Sequence, residues 1–255
     1  MWSIFDSIEV ITVPESTRMA GLIENLEAAQ FNMKDVNINT FERVKTNTKK
    51  NYSMFTVPFI KTDCCCDDVC KDSGRHHIDI IKKAYANPLK KRILIFEDDA
   101  RFNMPFNFKK IKKVLNWLEK NDQCEILYFG SLPFLSYPVN SYILKTHKPY
   151  LIHCYCLNRS GMKKILDTVD CEKGCVMDVQ FSNIPGLEKY SVYPSINNQE
   201  SPGDYSKSKL SKYIKFNRVT FFVDNSFYIY IVIFFIIILL VYISFKTKKP
   251  LIVVE

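Results

Sequence analysis

Arg92–Phe102 reads RILIFEDDARF: four apolar residues, Ile93–Phe96, run straight into Glu97, Asp98 and Asp99. A short unbroken apolar run of this kind fits a strand buried on both faces. Three adjacent carboxyls at its end resist joint ionisation unless a cation or solvent relieves them. In open α/β sheets, ligands bind beyond the carboxyl ends of the strands. The acidic turn is therefore a candidate site for a hard cation such as Mg²⁺ or Mn²⁺, which prefers carboxylate oxygens and often bridges protein to phosphate. On spacing alone, a solvated surface turn is the alternative.

The flanks set that strand in an alternating pattern. Ile8–Val13 is β-branched and predicts a strand that Pro14 ends; Ser16 or Thr17 can cap the helix carrying Met19, Leu22, Ile23 and Leu26. Val36 and Ile38 start a second strand, so the chain opens as strand–helix–strand with a parallel sheet. Residues 42–74 are polar, lysine-rich and then cysteine-rich, and read as a long loop or insertion. Helical spacing returns at His77, Ile80, Ile81 and Ala84, and again at Phe108, Ile111, Val114, Leu115 and Leu118. Strands are expected at Ile126–Phe129, Tyr150–Leu157 and Tyr190–Tyr193. Asn158 or Ser160 can cap a helix with Met162, Ile165, Leu166 and Val169, and Asp178–Asn183 fits a helical turn. Residues 196–225 look irregular and basic. The fold class expected is α/β.

The totals narrow the partners. The 255 residues suit one good-sized domain, with an apolar content of 47% and a charged content of 24%. A net charge of +8 favours anionic ligands. The basic residues form no stripe with interleaved aromatics, so nucleic acid is not an expected partner. A metal-dependent nuclease or phosphatase would commonly need more converging carboxylates. The nine cysteines are too odd a number for a simple disulfide framework. Cys64, Cys65, Cys66 and Cys70 of DCCCDDVC lack the paired spacing of a zinc site. Free thiols in a reducing compartment are the expected state, and disulfides stay open if the domain is lumenal.

One segment stands apart. Phe227–Phe245, FYIYIVIFFIIILLVYISF, has no charge, proline or glycine. At a rise of ~1.5 Å per residue it covers roughly 28 Å, close to a bilayer core. Tyr228, Tyr230 and Tyr242 lie toward its ends and Lys246 follows it. The expectation is a single C-terminal transmembrane helix at 227–245, after a domain at 1–206 and a basic stalk at 207–226, with a short tail at 246–255. The first residues lack a signal-peptide pattern, which suggests tail anchoring with the large domain in the cytosol. Lysines on both sides leave the orientation open.

The acidic block and three further stretches together resemble the family 25 glycosyltransferases, which include lipooligosaccharide and collagen galactosyltransferases. The first strand with Arg18 resembles that family's opening strand and arginine. SGRHHIDIIKKAYANPLKKRILIFEDDARF resembles its histidine-bearing helix leading into the aspartate motif. HCYCLNRSGMKKILD at 153–167 resembles its strand–turn–helix, and MDVQFSNIPGLEKYSVYPSINNQESPGDYS at 177–206 its closing stretch. The resemblance covers about residues 5–206.

It implies a GT-A-like (Rossmann-like) fold, a UDP-sugar donor, a divalent metal, and a glycan, lipid or protein acceptor. Asp99 is then the leading metal ligand with Asp98 in support. Arg18, His77, Gln199 and Ser201 face the donor or metal, with His76 a weaker match than His77. Asp178 is the base of an inverting transfer, although a helix cap is an equal reading of that residue. The sequence departs from the family at DCCCDDVC, which replaces the usual glycine-rich lead to a serine–histidine; here the pair is His76–His77. A catalytically silent, tail-anchored scaffold that keeps the fold is the alternative function. Resemblance to short glycosyltransferase-like proteins of large DNA viruses adds a virion or host membrane as an expected location.

Overall fold

The computed structural model describes residues 1–42, 68–171, 177–200, 232–240 and 242. The chain divides into two compact units, Met1–Pro202 and Gly203–Glu255.

In the first unit the strands are β1 (Ser7–Thr12), β2 (Val36–Thr40), β3 (Arg92–Glu97), β4 (Ala100–Phe102), β5 (Ile126–Tyr128), β6 (Leu132–Asn140), β7 (Ile143–Tyr150), β8 (Cys154–Asn158), β9 (Lys189–Val192) and β10 (Asn197–Gln199). The helices are α1 (Met19–Ala28), α2 (Asp68–Ala86), α3 (Phe108–Glu119), α4 (Arg159–Thr168) and α5 (Met177–Asn183). Eight strands form one sheet in the order β2-β1-β3-β8-β5-β9-β7-β6, and β4 pairs with β10 in a separate ribbon. β1 lies parallel to both β2 and β3, as the strand–helix–strand opening predicts. Beyond β3 the sheet turns mixed: β8 runs antiparallel to β3 and β5, while β5 and β9 are parallel.

Alternation along β3 builds two cores, because successive side chains of a strand point to opposite faces. Leu94 and Phe96 join Leu22 and Leu26 of α1 and Ile111, Val114 and Leu118 of α3. Ile93 and Ile95 join Ile80, Ile81 and Ala84 of α2, Met162 and Ile165 of α4, and Phe181 of α5. Helices thus cover both faces, and Ile93–Phe96 are wholly buried. One glycine permits a close approach. A Cβ on Gly161 would lie 2.3 Å from the Glu125 carbonyl, so the start of α4 packs directly on the backbone before β5; Asn158 caps that helix by accepting from the Gly161 amide at 2.8 Å.

Four expectations need correction. Helix α2 begins at Asp68, inside the stretch read as loop, so the polar residues before His77 belong to its early turns. The single strand expected over Tyr150–Leu157 is two: β7 ends at Tyr150 and β8 begins at Cys154, with Leu151 between them in the left-handed region (φ 71). The β6–β7 hairpin carries no strand expectation in the sequence, since Pro133 and Pro138 interrupt β6; an edge strand tolerates them. Residues Asn197–Gln199, read as irregular, form β10 because β4 offers them a pairing edge.

In the second unit the described residues, 232–240 and 242, are helical, with large apolar side chains exposed from Val232 to Leu240 and at Tyr242. Among the described residues no helix is long and apolar enough to cross a membrane. The rest of 227–245, like the cluster Cys64–Cys66, lies outside the described residues. Among the described residues, Cys124, Cys154 and Cys156 are free, buried thiols.

Candidate functional site

The carboxyl ends of β1 and β3 lie side by side, because the two strands pair in parallel with Ile11 opposite Glu97. β3 ends at Glu97, a turn holds Asp98 and Asp99, and β4 follows at once. The turn is drawn inward: Asp98 and Asp99 are each only 5% exposed, which sets aside the reading of a solvated surface turn.

Buried carboxylates need partners, and four donors supply them. Thr12, the last residue of β1, donates its hydroxyl to Asp98 Oδ2 at 3.0 Å. Arg18, at the N-cap of α1, sets one guanidinium nitrogen 2.8 Å from Asp98 Oδ1 and another 3.1 Å from Asp99 Oδ2. Gln199 of β10 donates to the same Asp99 Oδ2 at 3.0 Å. Asp99 Oδ1 is buried with no hydrogen-bond partner. Burial, and then the Glu97 charge, raise the Asp99 carboxyl from 3.8 to about 7; the Asp98 charge adds to the rise, and Gln199 and Arg18 oppose it.

Arg101 braces the turn from behind. Its guanidinium donates to the carbonyls of Asp98 at 2.9 Å, Ala100 at 2.7 Å and Arg18 at 2.7 Å, and pairs with Glu200. One side chain thereby ties together the acidic turn, the start of α1 and the end of β10.

Behind Glu97 lies a second network. His77 of α2 is fully buried. Its Nε2 donates to Glu97 at 3.0 Å, and its Nδ1 lies 2.9 Å from the Tyr155 hydroxyl. Both ring nitrogens are therefore spent on protein, and the imidazole orients Glu97. His76 instead stacks on Phe41, ring centroids 4.0 Å apart. Burial pushes Glu97 up, but the His77 hydrogen bond and the fields of His77, His153 and Arg18 together hold it below the ordinary value. His153, just before β8, is buried, and burial lowers it to about 4 against the pull of Glu97 and of the Asn197 backbone. It packs on Gly130, where a Cβ would lie 1.9 Å from the Asn197 carbonyl and 2.6 Å from His153 Nε2.

Asp178 sits in the first turn of α5 and accepts from the Val179 amide at 2.7 Å and the Leu151 amide at 3.2 Å. Burial raises its carboxyl; those amides lower it in part, and the charge of Glu97 raises it further.

The structure thus gathers Arg18, Asp98, Asp99 and Gln199 in one hydrogen-bonded group and puts His77 one step behind it through Glu97, whereas Asp178 makes its hydrogen bonds to the Val179 and Leu151 amides. Ser201 lies outside the described residues. Thr12, Arg101 and Tyr155 carry no functional expectation in the sequence. Thr12 is legible as the polar residue closing a strand parallel to β3; Tyr155 reaches His77 across 78 residues, and Arg101, local to the turn through Asp98 and Ala100, owes its bracing role to partners 83 and 99 residues away.

Among the described residues, no group of three or more His, Cys, Asp or Glu side chains is arranged to hold a metal ion. Two adjacent carboxylates, one with an unpartnered buried oxygen, nonetheless match what an octahedral cation shared with phosphates asks of a protein, which is one or two carboxylates.

Neither a protein-family profile nor a curated protein sequence matches the chain. The solved structures that are distantly similar include two from viral settings. One is A197 from STIV, at 10% identity and a TM-score of 0.43, covering 75% of this chain and 83% of that one. The other is a glycosyltransferase involved in the glycosylation of the major capsid of PBCV-1, at 13% identity and a TM-score of 0.35, covering 83% of this chain and 99% of that one. The architecture itself is a mixed α/β fold around one large sheet whose parallel part carries the acidic turn.

Proposed function

We propose that the protein is a glycosyltransferase that moves a hexose, with galactose the first candidate, from a UDP-sugar to a hydroxyl of a glycan, lipid or protein. The observation that carries this reading is the buried pair Asp98–Asp99 at the carboxyl end of β3, bridged by Arg18 and keeping one carboxylate oxygen without a partner. The motif resemblance supports it independently.

In this reading Asp99 and Asp98 hold a divalent cation, which when bound neutralises the departing diphosphate. Arg18 and Gln199 face the donor, and Ser201, by the motif resemblance alone, contacts donor or metal. Asp178 takes the proton of the acceptor hydroxyl as its oxygen bonds to the anomeric carbon. The bond from that carbon to the phosphate oxygen breaks on the opposite face, and UDP leaves with the electron pair. A carboxyl raised by burial is the better base for this step. Glu97 and His77 shape the turn behind the reaction centre. The apolar stretch at 227–245 is proposed as the anchor that keeps the domain near a membrane-borne acceptor, with the large domain on the cytosolic side of a virion or host membrane.

The second reading is a binding or scaffold protein that keeps the fold. It draws on the same network: three of the four aspartate oxygens are already satisfied by the chain's own side chains, as in a purely structural cluster. One assay separates the two. The full chain is incubated with Mn²⁺ and each UDP-sugar in turn, and released UDP is measured. Release from one donor that disappears in Asp99→Ala supports the transferase. No release from any donor, by protein that is folded, supports the scaffold.

A further inference from the structure

Three of the four oxygens of Asp98 and Asp99 are taken, and their partners are not equivalent. Thr12 and Gln199 are neutral and sit on β1 and β10. Arg18 alone carries a charge, and it alone touches both carboxylates. Its side chain is 26% exposed, against 7% and 8% for the two aspartates. A long side chain reaching in from solvent is the partner that can leave; the short ones fixed on strands cannot.

A guanidinium about 3 Å from both carboxylates opposes a dication at the same oxygens by charge, and it holds two charge-assisted hydrogen bonds that a cation would have to break. The balance changes when a diphosphate is present, because phosphate oxygens accept the planar guanidinium fork as well as a carboxylate does.

Resting on the transferase reading, we propose that Arg18 is the resident counterion of the aspartate pair and gives way to a divalent cation by transferring its guanidinium to the donor diphosphate. Cation and nucleotide are then bound cooperatively, and the unloaded protein resists metal on its own. By reciprocity, UDP tightens the cation by the same factor that the cation tightens UDP.

The test measures Mn²⁺ affinity by calorimetry on the full chain at pH 8, without nucleotide, for the parent, Arg18→Lys and Arg18→Gln. Removing the resident charge should tighten Mn²⁺ alone by about tenfold or more in Arg18→Gln. Arg18→Lys, whose single ammonium cannot fork across two carboxylates, should fall between. The factor by which UDP tightens Mn²⁺ should shrink in the same order. If Arg18→Gln is unfolded without metal, recovery of its fold by Mn²⁺ alone, read by circular dichroism, supports the proposal equally. Mn²⁺ binding to folded Arg18→Gln no tighter than to the parent overturns it, as does failure of Mn²⁺ to rescue the unfolded variant. Those results leave the transferase reading intact if Mn²⁺ with UDP still raises the melting temperature of the parent. If no combination of Mn²⁺ and UDP does so, both readings fall together.

Discussion

Replacing Asp99 with asparagine should make the metal-free protein more stable, in a pH-dependent way. The Asp99 carboxyl is raised from 3.8 to about 7, burial being the largest cause. Below pH about 4, folded and unfolded chains both carry the proton and the residue makes no difference. Between about 4 and 7 the folded state keeps a proton that the unfolded chain has released, so stability falls as pH rises. Above about 7 the penalty is complete. At about 1.36 kcal/mol per tenfold change in proton affinity, a rise from 3.8 to about 7 costs the folded state up to roughly 4 kcal/mol. Asparagine keeps the shape without the charge and should recover about 2–4 kcal/mol at pH 8, or roughly 5–15 °C in melting temperature. The assay is thermal unfolding of parent and variant at pH 4 and pH 8. Subtracting the two proteins at each pH removes the contributions of distant groups. The gain should be large at pH 8 and near zero at pH 4. Adding Mn²⁺ with UDP should stabilise the parent and not the variant. An Asp99→Asn protein less stable than the parent at pH 8 refutes the reasoning, because the ionised carboxylate would then be a net asset without any cation.

Three other substitutions probe separate layers. Gly130→Ala forces a Cβ against the Asn197 carbonyl and His153, and should cost about 3 kcal/mol or more in urea unfolding. Phe96→Ala empties a site where Phe31 and Phe102 meet the ring edge-on at 5.7 and 5.9 Å, and should cost ~3–5 kcal/mol by the same measurement. Asp178→Asn should slow sugar transfer by about a hundredfold or more while Mn²⁺ and UDP still raise the melting temperature; unchanged turnover sinks its role as base.

The parts of the fold that could be read from the sequence are those decided locally. Ile93–Phe96 announces a doubly buried strand because both cores draw on it, and the spacing in α1, α3 and α4 announces which faces are apolar. β10 is invisible because NNQ has no strand preference of its own and pairs only because Ala100–Phe102 lies opposite. β6 is hidden by its prolines and its exposed Leu135, Tyr137 and Val139. The site divides in the same way. Glu97–Asp99 stand out as a charge run at a strand end. What the run does depends on Thr12, Arg18, Arg101 and Gln199, whose approach is set by β1 pairing with β3 and β4 with β10. The histidine of α2 illustrates the limit: motif resemblance picks out His77, yet only packing reveals that both its nitrogens are spent on Tyr155 and Glu97.

The partners around the acidic turn come from both ends of the globular unit: Thr12 and Arg18 near the start, Gln199 and Glu200, whose carboxylate accepts from Arg101, near the end. During synthesis the first two emerge from the ribosome early, and the aspartates follow some eighty residues later. The last pair arrives only when the whole unit has been made. A nascent chain can therefore assemble β1, β2 and β3 while its anionic turn is still half-clothed, and ribosomes stalled before Gln199 should display a sheet that forms but a turn that stays open to protease.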